Sequence, residues 1–437
     1  MRAPREWLVR RTGRLRMSHS APDASSRVAA ARQVVDVDAS RLGIIDVMLA
    51  FWNAVVALSK QPEAVPDLVA LQVHGFHELS GNLSIVDRLC GYLNSCSEVC
   101  DSFGSHITFS MNHPKASEHH RVAPVPTLVL KKRQSAAASG GDAPSDDAHD
   151  DWDDWEDDEN SVLSKYAHLL GDHAADASAS GLSSGRGEKE LSPEHLLGPV
   201  PESEQEILQK TFEWVQAVIV DLGVCPFTSS SASRAGVPMG EVRYEIVTQS
   251  TPEEVFAAFW REIELMQKTD ERALSTTLMI TPNFFQYNAE GFDSFCATLT
   301  SALTVLNVQK DVQLVFFHPL YCFRDGGNRF GESNQRGATS EDASLTHDTV
   351  AANFARRSPF GMINLLRTPQ VRAAQRVIPT GLVYKQNDDT MRSIGTSELT
   401  RMLRERDWSA VRERRPVDRR SNLVYEAAEK FRRSRNE

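Results

Sequence analysis

Apolar positions recur along this chain in two regular stretches separated by a long polar one. In residues 41–59 (RLGIIDVMLAFWNAVVALS), Ile45, Met48, Leu49, Trp52 and Val56 fall three and four apart, which places them on one face of a helix. Residues 83–100 carry the same period. A strand at 106–110 and the proline-punctuated 124–130 complete an expected small, mainly helical module over 41–133 with room for one hairpin. At this size it is expected to lean on the rest of the chain to bury its apolar faces.

The second regular stretch begins at Ser203. Ser203 with Glu206, and Thr251 with Glu254, have the spacing of capping boxes, the second with Pro252 at the first helical position. The first box opens a helix that ends at Gly223 ahead of Cys225-Pro226-Phe227; the second opens one running to about Lys268. Strands are expected at 241–248, 276–280 and 312–317, a helix around Phe292 to Leu306, and a fourth strand at 362–366. Short apolar strands alternating with helices predict an α/β domain over 203–406, layered, with a mostly parallel sheet covered by helices on both faces. Residues 325–345 are Gly-rich and polar, too long for an ordinary connection, and two short helices near Thr390 and Leu399 close the domain.

The remaining segments are expected to be disordered. Residues 1–40 open with an Arg-rich leader, for which two readings stand: an organellar transit peptide or a weakly basic disordered arm. Residues 134–202 are rich in Ser, Ala, Gly and Asp and read as an acidic linker. Residues 407–437 form a charged, Arg-rich helix or tail.

Charge sharpens this division. The chain has a formal net charge of −11, and the eleven acids between Asp142 and Glu159, with no base among them, account for a share that large. No basic face able to release many counterions is left in the longest regular stretch, so nucleic acid is not an expected partner. No membrane span is expected either, because the longest nearly uncharged apolar run, 42–58, is shorter than the roughly 20 residues that cross a bilayer. Six cysteines in a chain without a secretory apolar region point to free thiols and an intracellular setting, cytoplasmic or within a mitochondrion or plastid. Cys90, Cys96 and Cys100 lack the paired spacing of a structural zinc site, and Gly326 to Gly331 lacks the Gly-Lys-Ser/Thr ending of a phosphate loop, so neither metal nor cofactor is expected.

Candidate chemistry gathers at strand ends, where parallel sheets hold their ligands. Thr281, His318 and Arg367 each follow an expected strand, and the turns at Cys225 and at Arg356-Arg357-Ser358-Pro359 have the reach to join them. One constellation has Cys225 as nucleophile, His318 as general base, and Arg357 with Arg367 binding a carboxylate or phosphate. The plain alternative for each is structural: a buried thiol, a satisfied histidine and paired arginines. A rival reading makes the domain a non-catalytic scaffold that docks a protein partner through Trp152 and Trp155 of the acidic linker.

The motifs Gly223-Val224-Cys225-Pro226-Phe227, Phe317-His318-Pro319-Leu320-Tyr321-Cys322-Phe323, Asn353-Phe354-Ala355-Arg356-Arg357-Ser358-Pro359 and Leu365-Leu366-Arg367 resemble, in order, those of domain-of-unknown-function family number fourteen-fifteen, over residues 205 to about 405. The resemblance implies a compact domain whose polar motifs cluster, and it maps Cys225, His318, Tyr321, Asn353, Arg357, Ser358 and Arg367 onto the family pattern. It implies no activity. The chain departs from the pattern at Arg356, Asn364 and Thr368, where the family has Asn, His and Glu. The expected ligand is a small anionic molecule.

Overall fold

The structure, a computed structural model, describes residues 33–60, 68–101, 103, 107–114, 121–122, 125–132, 197–225, 240–322, 351–375 and 380–412. These residues belong to one compact unit. The expected acidic linker, with Trp152 and Trp155, lies outside them up to residue 196, as do most of the leader and the tail beyond Arg412.

The N-terminal part runs β1 (Gln33–Asp38), α1 (Ile44–Ser59), β2 (Leu68–His74), α2 (His77–Gly81), α3 (Leu83–Asp101), β3 (Ile107–His113), β4 (Arg121–Val122) and β5 (Thr127–Lys132). It holds more strand than the one hairpin expected. Its strands form a five-stranded sheet in the order β1-β2-β5-β3-β4. Two strands escape a periodicity reading because β1 follows directly on the Arg-rich leader, where the chain was expected to be disordered through residue 40, and β2 follows a stretch broken by Pro62 and Pro66. The helices α1 and α3 match the three-and-four spacing, with Met48, Phe51, Trp52 and Val55 buried on one and Val86, Leu89, Leu93 and Cys96 on the other.

The C-terminal part runs α4 (Glu204–Trp214) into a π-helical stretch (Val215–Asp221), then β6 (Glu241–Ile246), α5 (Pro252–Lys268), β7 (Leu274–Thr281), α6 (Ala289–Val305), β8 (Val312–Phe317), a 3-10 turn (Ala351–Ala355), β9 (Gly361–Arg367), α7 (Thr368–Gln375), α8 (Thr380–Ile394), α9 (Thr396–Glu405) and α10 (Ser409–Arg412). Neither expected capping box forms its reciprocal bonds. Ser203 makes no side-chain cap, and the Thr251 hydroxyl donates to the Glu254 carboxylate at 3.0 Å rather than accepting from an amide. The side chain of Asn288 does cap α6, accepting from the Gly291 amide at 2.9 Å.

The second sheet has the order β6-β7-β9-β8 and is mixed, which corrects the mostly parallel expectation. Strands β6 and β7 pair in parallel, but β9 enters between β7 and β8 antiparallel to both. A parallel neighbour would need a crossover helix between β8 and β9. The described part of that connection holds only a 3-10 turn, after which Gly361 pairs with Thr281 and the strand runs back down the sheet.

Alternation along the strands builds two cores. Met279, Ile363, Leu365 and Val312 face α5 and α6, while Leu278, Ile280, Met362 and Phe317 face α4, the 3-10 turn and α9. The first core does not stop at the second sheet. It continues through α5 into α1 and α3, where the Trp52 ring stacks on Phe256 with centroids 4.2 Å apart and planes 17° from parallel. The two sheets therefore lie back to back on a shared helix layer in which α1 packs on α5 and α3 on α6.

Candidate functional site

The candidate rim lies where β7 and β8 end and β9 begins, and backbone hydrogen bonds build it. The Asn353 carbonyl accepts from the amides of both Arg356 and Arg357, which closes the 3-10 turn, and the Arg356 carbonyl accepts from the His318 amide, which ties that turn to the end of β8. The His318 carbonyl then takes the Tyr321 amide. Trp214, buried at the end of α4, donates from its indole to the Arg357 carbonyl at 3.1 Å. Cys225 follows the π-helical stretch, where the Leu222 amide reaches back to Ala217 and the Cys225 amide to Ile219. The buried Asn387 of α8 donates to the Val224 carbonyl at 3.0 Å and holds that exit against the domain.

Three guanidinium groups sit on this scaffold. Arg357, buried, donates from Nε to the Tyr321 carbonyl at 3.1 Å and lies over the Phe354 ring. Arg356, half-buried, donates to the Phe316 carbonyl at 3.3 Å and lies over Phe317. Arg406 enters from the end of α9, donates to the carbonyls of Pro359 and Pro199, and covers Phe360. The Ser358 hydroxyl, fully buried, donates to the Phe360 carbonyl at 2.6 Å, and the Asn353 amide meets the Cys322 sulfur at 3.7 Å. Gln286 brackets the start of β9, donating to the Pro359 carbonyl and accepting from the Gly361 amide.

Arg367 does not belong to this rim. Because β9 is antiparallel, its last residue pairs with Val312 at the start of β8, whereas Met362 pairs with Phe317 at the end. Five residues at about 3.3 Å each put Arg367 roughly 16 Å from the His318 end. There its Nε donates to the Leu274 carbonyl and its Nη2 to those of both Met266 and Thr269, which ties down the C-terminal end of α5. Two of the three departures from the family pattern lie on β9 beyond the rim or at its far end: Asn364 accepts from the Thr276 hydroxyl, and the Thr368 hydroxyl donates to Gln309. Arg356 alone of the three stands in the rim.

His318 is 1 % exposed and both ring nitrogens are engaged. Nε2 lies 2.9 Å from the Phe285 carbonyl, which makes it the protonated nitrogen, and Nδ1 accepts from the Leu320 amide at 3.1 Å. Burial, with Arg357 adding to it, brings the imidazole down to about 4. A base needs a free lone pair and this ring has none, so His318 orders the turn in its neutral form and the general-base role assigned to it from sequence does not fit the geometry.

The thiols divide by environment. Cys96, Cys100 and Cys296 are buried, and burial pushes each well above the usual range; Cys90, half-buried, is pushed up to about 11. Cys322, which meets Asn353, and Cys225, after the π-helical stretch, are half-buried. Among the described residues no group of three or more His, Cys, Asp or Glu is placed to hold a metal, and no helix is long and apolar enough to cross a membrane. A separate open cleft of about 230 Å³ lies where α1 and α3 meet the end of α6, and Glu78, Asp311, Arg88 and Lys310 line it, so its charges balance.

Of the residues singled out from sequence, His318, Tyr321, Asn353, Arg357 and Ser358 fall in one neighbourhood, Cys225 stands at the exit of the π-helical stretch, and Arg367 lies at the far end of the sheet. Sequence reasoning assigned no part to Trp214, Gln286, Cys322 or Arg406. Cys322 stands inside the His318 motif and Trp214 on the helix that leads to the Cys225 motif, whereas Gln286 and Arg406 act through backbone groups distant in sequence and leave no local signal. Residues 206–401 match the family model described as protein of unknown function, DUF1415. No curated protein and no solved structure matches the chain.

Proposed function

We propose that the domain carrying residues 206–401 binds a small anionic ligand, a phosphate or carboxylate compound, at the rim formed by the turns 318–322 and 353–358. Arg356 is the contacting arginine, with Tyr321 and Cys322 beside it and Arg357, Asn353 and Ser358 ordering the turn beneath. The observation that carries this reading is the use of the guanidinium bonds. Those of Arg356 and Arg406 run to backbone carbonyls, and a carbonyl, unlike a carboxylate, leaves the positive charge uncompensated. A bidentate anion is the natural complement of such a group. Cys322 is the half-buried thiol of this rim and Cys225 the half-buried thiol after the π-helical stretch, and we assign them as the reactive groups of any chemistry the domain performs, without His318 as base.

The test is thermal unfolding of the full chain against inorganic phosphate and a panel of phosphorylated and carboxylated metabolites. A ligand at 100 times its Kd stabilises by about 2.7 kcal/mol, a shift of a few degrees in Tm. Arg356→Ala is expected to abolish the shift and Arg367→Ala to preserve it. No shift across the panel, or a shift that survives Arg356→Ala, would defeat the reading.

A further inference from the structure

The two sheets are built alike. In each half a strand, a helix and a second, parallel strand are followed by a helix, a third strand, and a last strand that inserts antiparallel between the second and third. Shared topology alone could be convergence, so the residues decide. Helix α1 contains Val47, Ala50, Phe51 and Trp52; helix α5 contains Val255, Ala258, Phe259 and Trp260, each 208 positions on. Helix α3 contains Asp87, Cys90, Leu93 and Val99; helix α6 contains Asp293, Cys296, Leu299 and Val305, each 206 positions on. The helices even start alike, with Asn82 accepting from the Ser84 amide and Asn288, again 206 further, from the Gly291 amide.

The third strands carry the strongest correspondence. β3 ends in His113-Pro114 and β8 is followed by His318-Pro319, 205 positions apart. Both imidazoles are buried, at 0 % and 1 % exposure. Each places Nε2 2.9 Å from a backbone carbonyl, that of Leu79 for His113 and that of Phe285 for His318. Leu79 and Phe285 are themselves 206 positions apart, so one buried polar bond recurs between corresponding residues. Packing has no general need for a histidine there, and inheritance from one ancestral unit accounts for it.

From these observations we infer that residues 33–132 are a degenerate second copy of the unit at 241–367, retained as a built-in partner that closes the apolar α5 and α6 face of the family domain in cis. Corresponding helices meet corresponding helices, α1 on α5 and α3 on α6, which is the arrangement of an isologous dimer made within one chain. The N-terminal copy keeps the scaffold and has lost the rim. Its third and last strands are joined by residues 114–126, against 318–360 in the other copy, and it has no counterpart of the Asn353 to Pro359 motif.

The pairing is therefore held by the helix layer and not by the chain that joins the halves. A specific protease site inserted within residues 134–192 of the full chain tests this. After cleavage, light scattering on a sizing column should show one species holding both fragments at 1:1, and two separately eluting folded fragments would overturn the inference. In the cut protein, Trp52→Ala removes the ring stacked on Phe256 and should weaken association at least a hundredfold; unaltered association would likewise overturn it. Hydrogen exchange on the intact chain needs no variant to fold. Amides around Trp52 and Phe256 should exchange in the same slowest class, and fast exchange along α5 with α1 protected, or the reverse, would count against a shared core.

Discussion

The imidazole of His318 donates to the backbone carbonyl of Phe285 at 2.9 Å while its other nitrogen accepts from Leu320, so the ring is held neutral inside the fold. This gives the protein a defined acid sensitivity. The folded ring titrates at about 4 against 6.5 for an ordinary imidazole, so between these values the unfolded chain takes up a proton that the folded chain refuses. Stability contributed by His318 is full above pH 6.5 and declines as pH falls toward 4. The shift corresponds to about 3 kcal/mol at most. Urea unfolding across pH 4 to 7 should show this slope, and His318→Phe should flatten it while lowering stability at pH 7 by about 1–3 kcal/mol through the unpaired Phe285 carbonyl and Leu320 amide.

Arg367→Ala should destabilise without touching the rim. Three carbonyls, those of Leu274, Met266 and Thr269, lose their donor, and charged donors of this kind contribute about 1.5–3 kcal/mol each before water compensates. A drop in Tm with unchanged ligand-induced shift is the expected pair of results. Loss of the ligand shift at unchanged stability would place Arg367 in the binding site after all.

Thiol reactivity should split the six cysteines. A small alkylating reagent on the native protein should modify Cys225 and Cys322 first, with Cys90 slow and Cys96, Cys100 and Cys296 protected until unfolding, because reaction needs both access and a thiolate. Peptide mapping at several times reads the order. Early labelling of Cys296 would contradict its place in the α6 core.

Gly240→Ala tests the start of β6. A Cβ there would lie 2.6 Å from the Glu271 carbonyl oxygen and 2.8 Å from the amide nitrogens of Leu274 and Ser275. All three are backbone atoms, so no side chain can rotate away, and the substitution should cost about 1–3 kcal/mol. A neutral effect on chemical denaturation would mean that the approach of β6 to β7 is looser than described.

The helices α1, α3, α5 and α6 were legible from sequence because a buried stripe on a helix imposes its own period on nearby residues, and β7 and β8 because continuous short apolar runs bounded by turn residues leave few alternatives. The polar motifs around Cys225, His318 and Asn353 were legible as a set. The direction of β9 was not, since a strand's residues read the same whichever way it pairs, and that direction alone moved Arg367 from the rim to the opposite end of the sheet. His318 looked like a base because its two hydrogen bonds go to backbone atoms that any residue supplies. The internal copy left visible marks, a Phe-Trp pair at 51 and 259 and a His-Pro pair at 113 and 318, but dipeptides this short acquire meaning only when the strands and helices around them superimpose. Local periodicity and composition thus determined the elements and the candidate residues. Strand order, the antiparallel return of β9 and the back-to-back pairing of the two copies were decided by tertiary structure, because each depends on closing long loops between segments whose sequences carry no record of their partners.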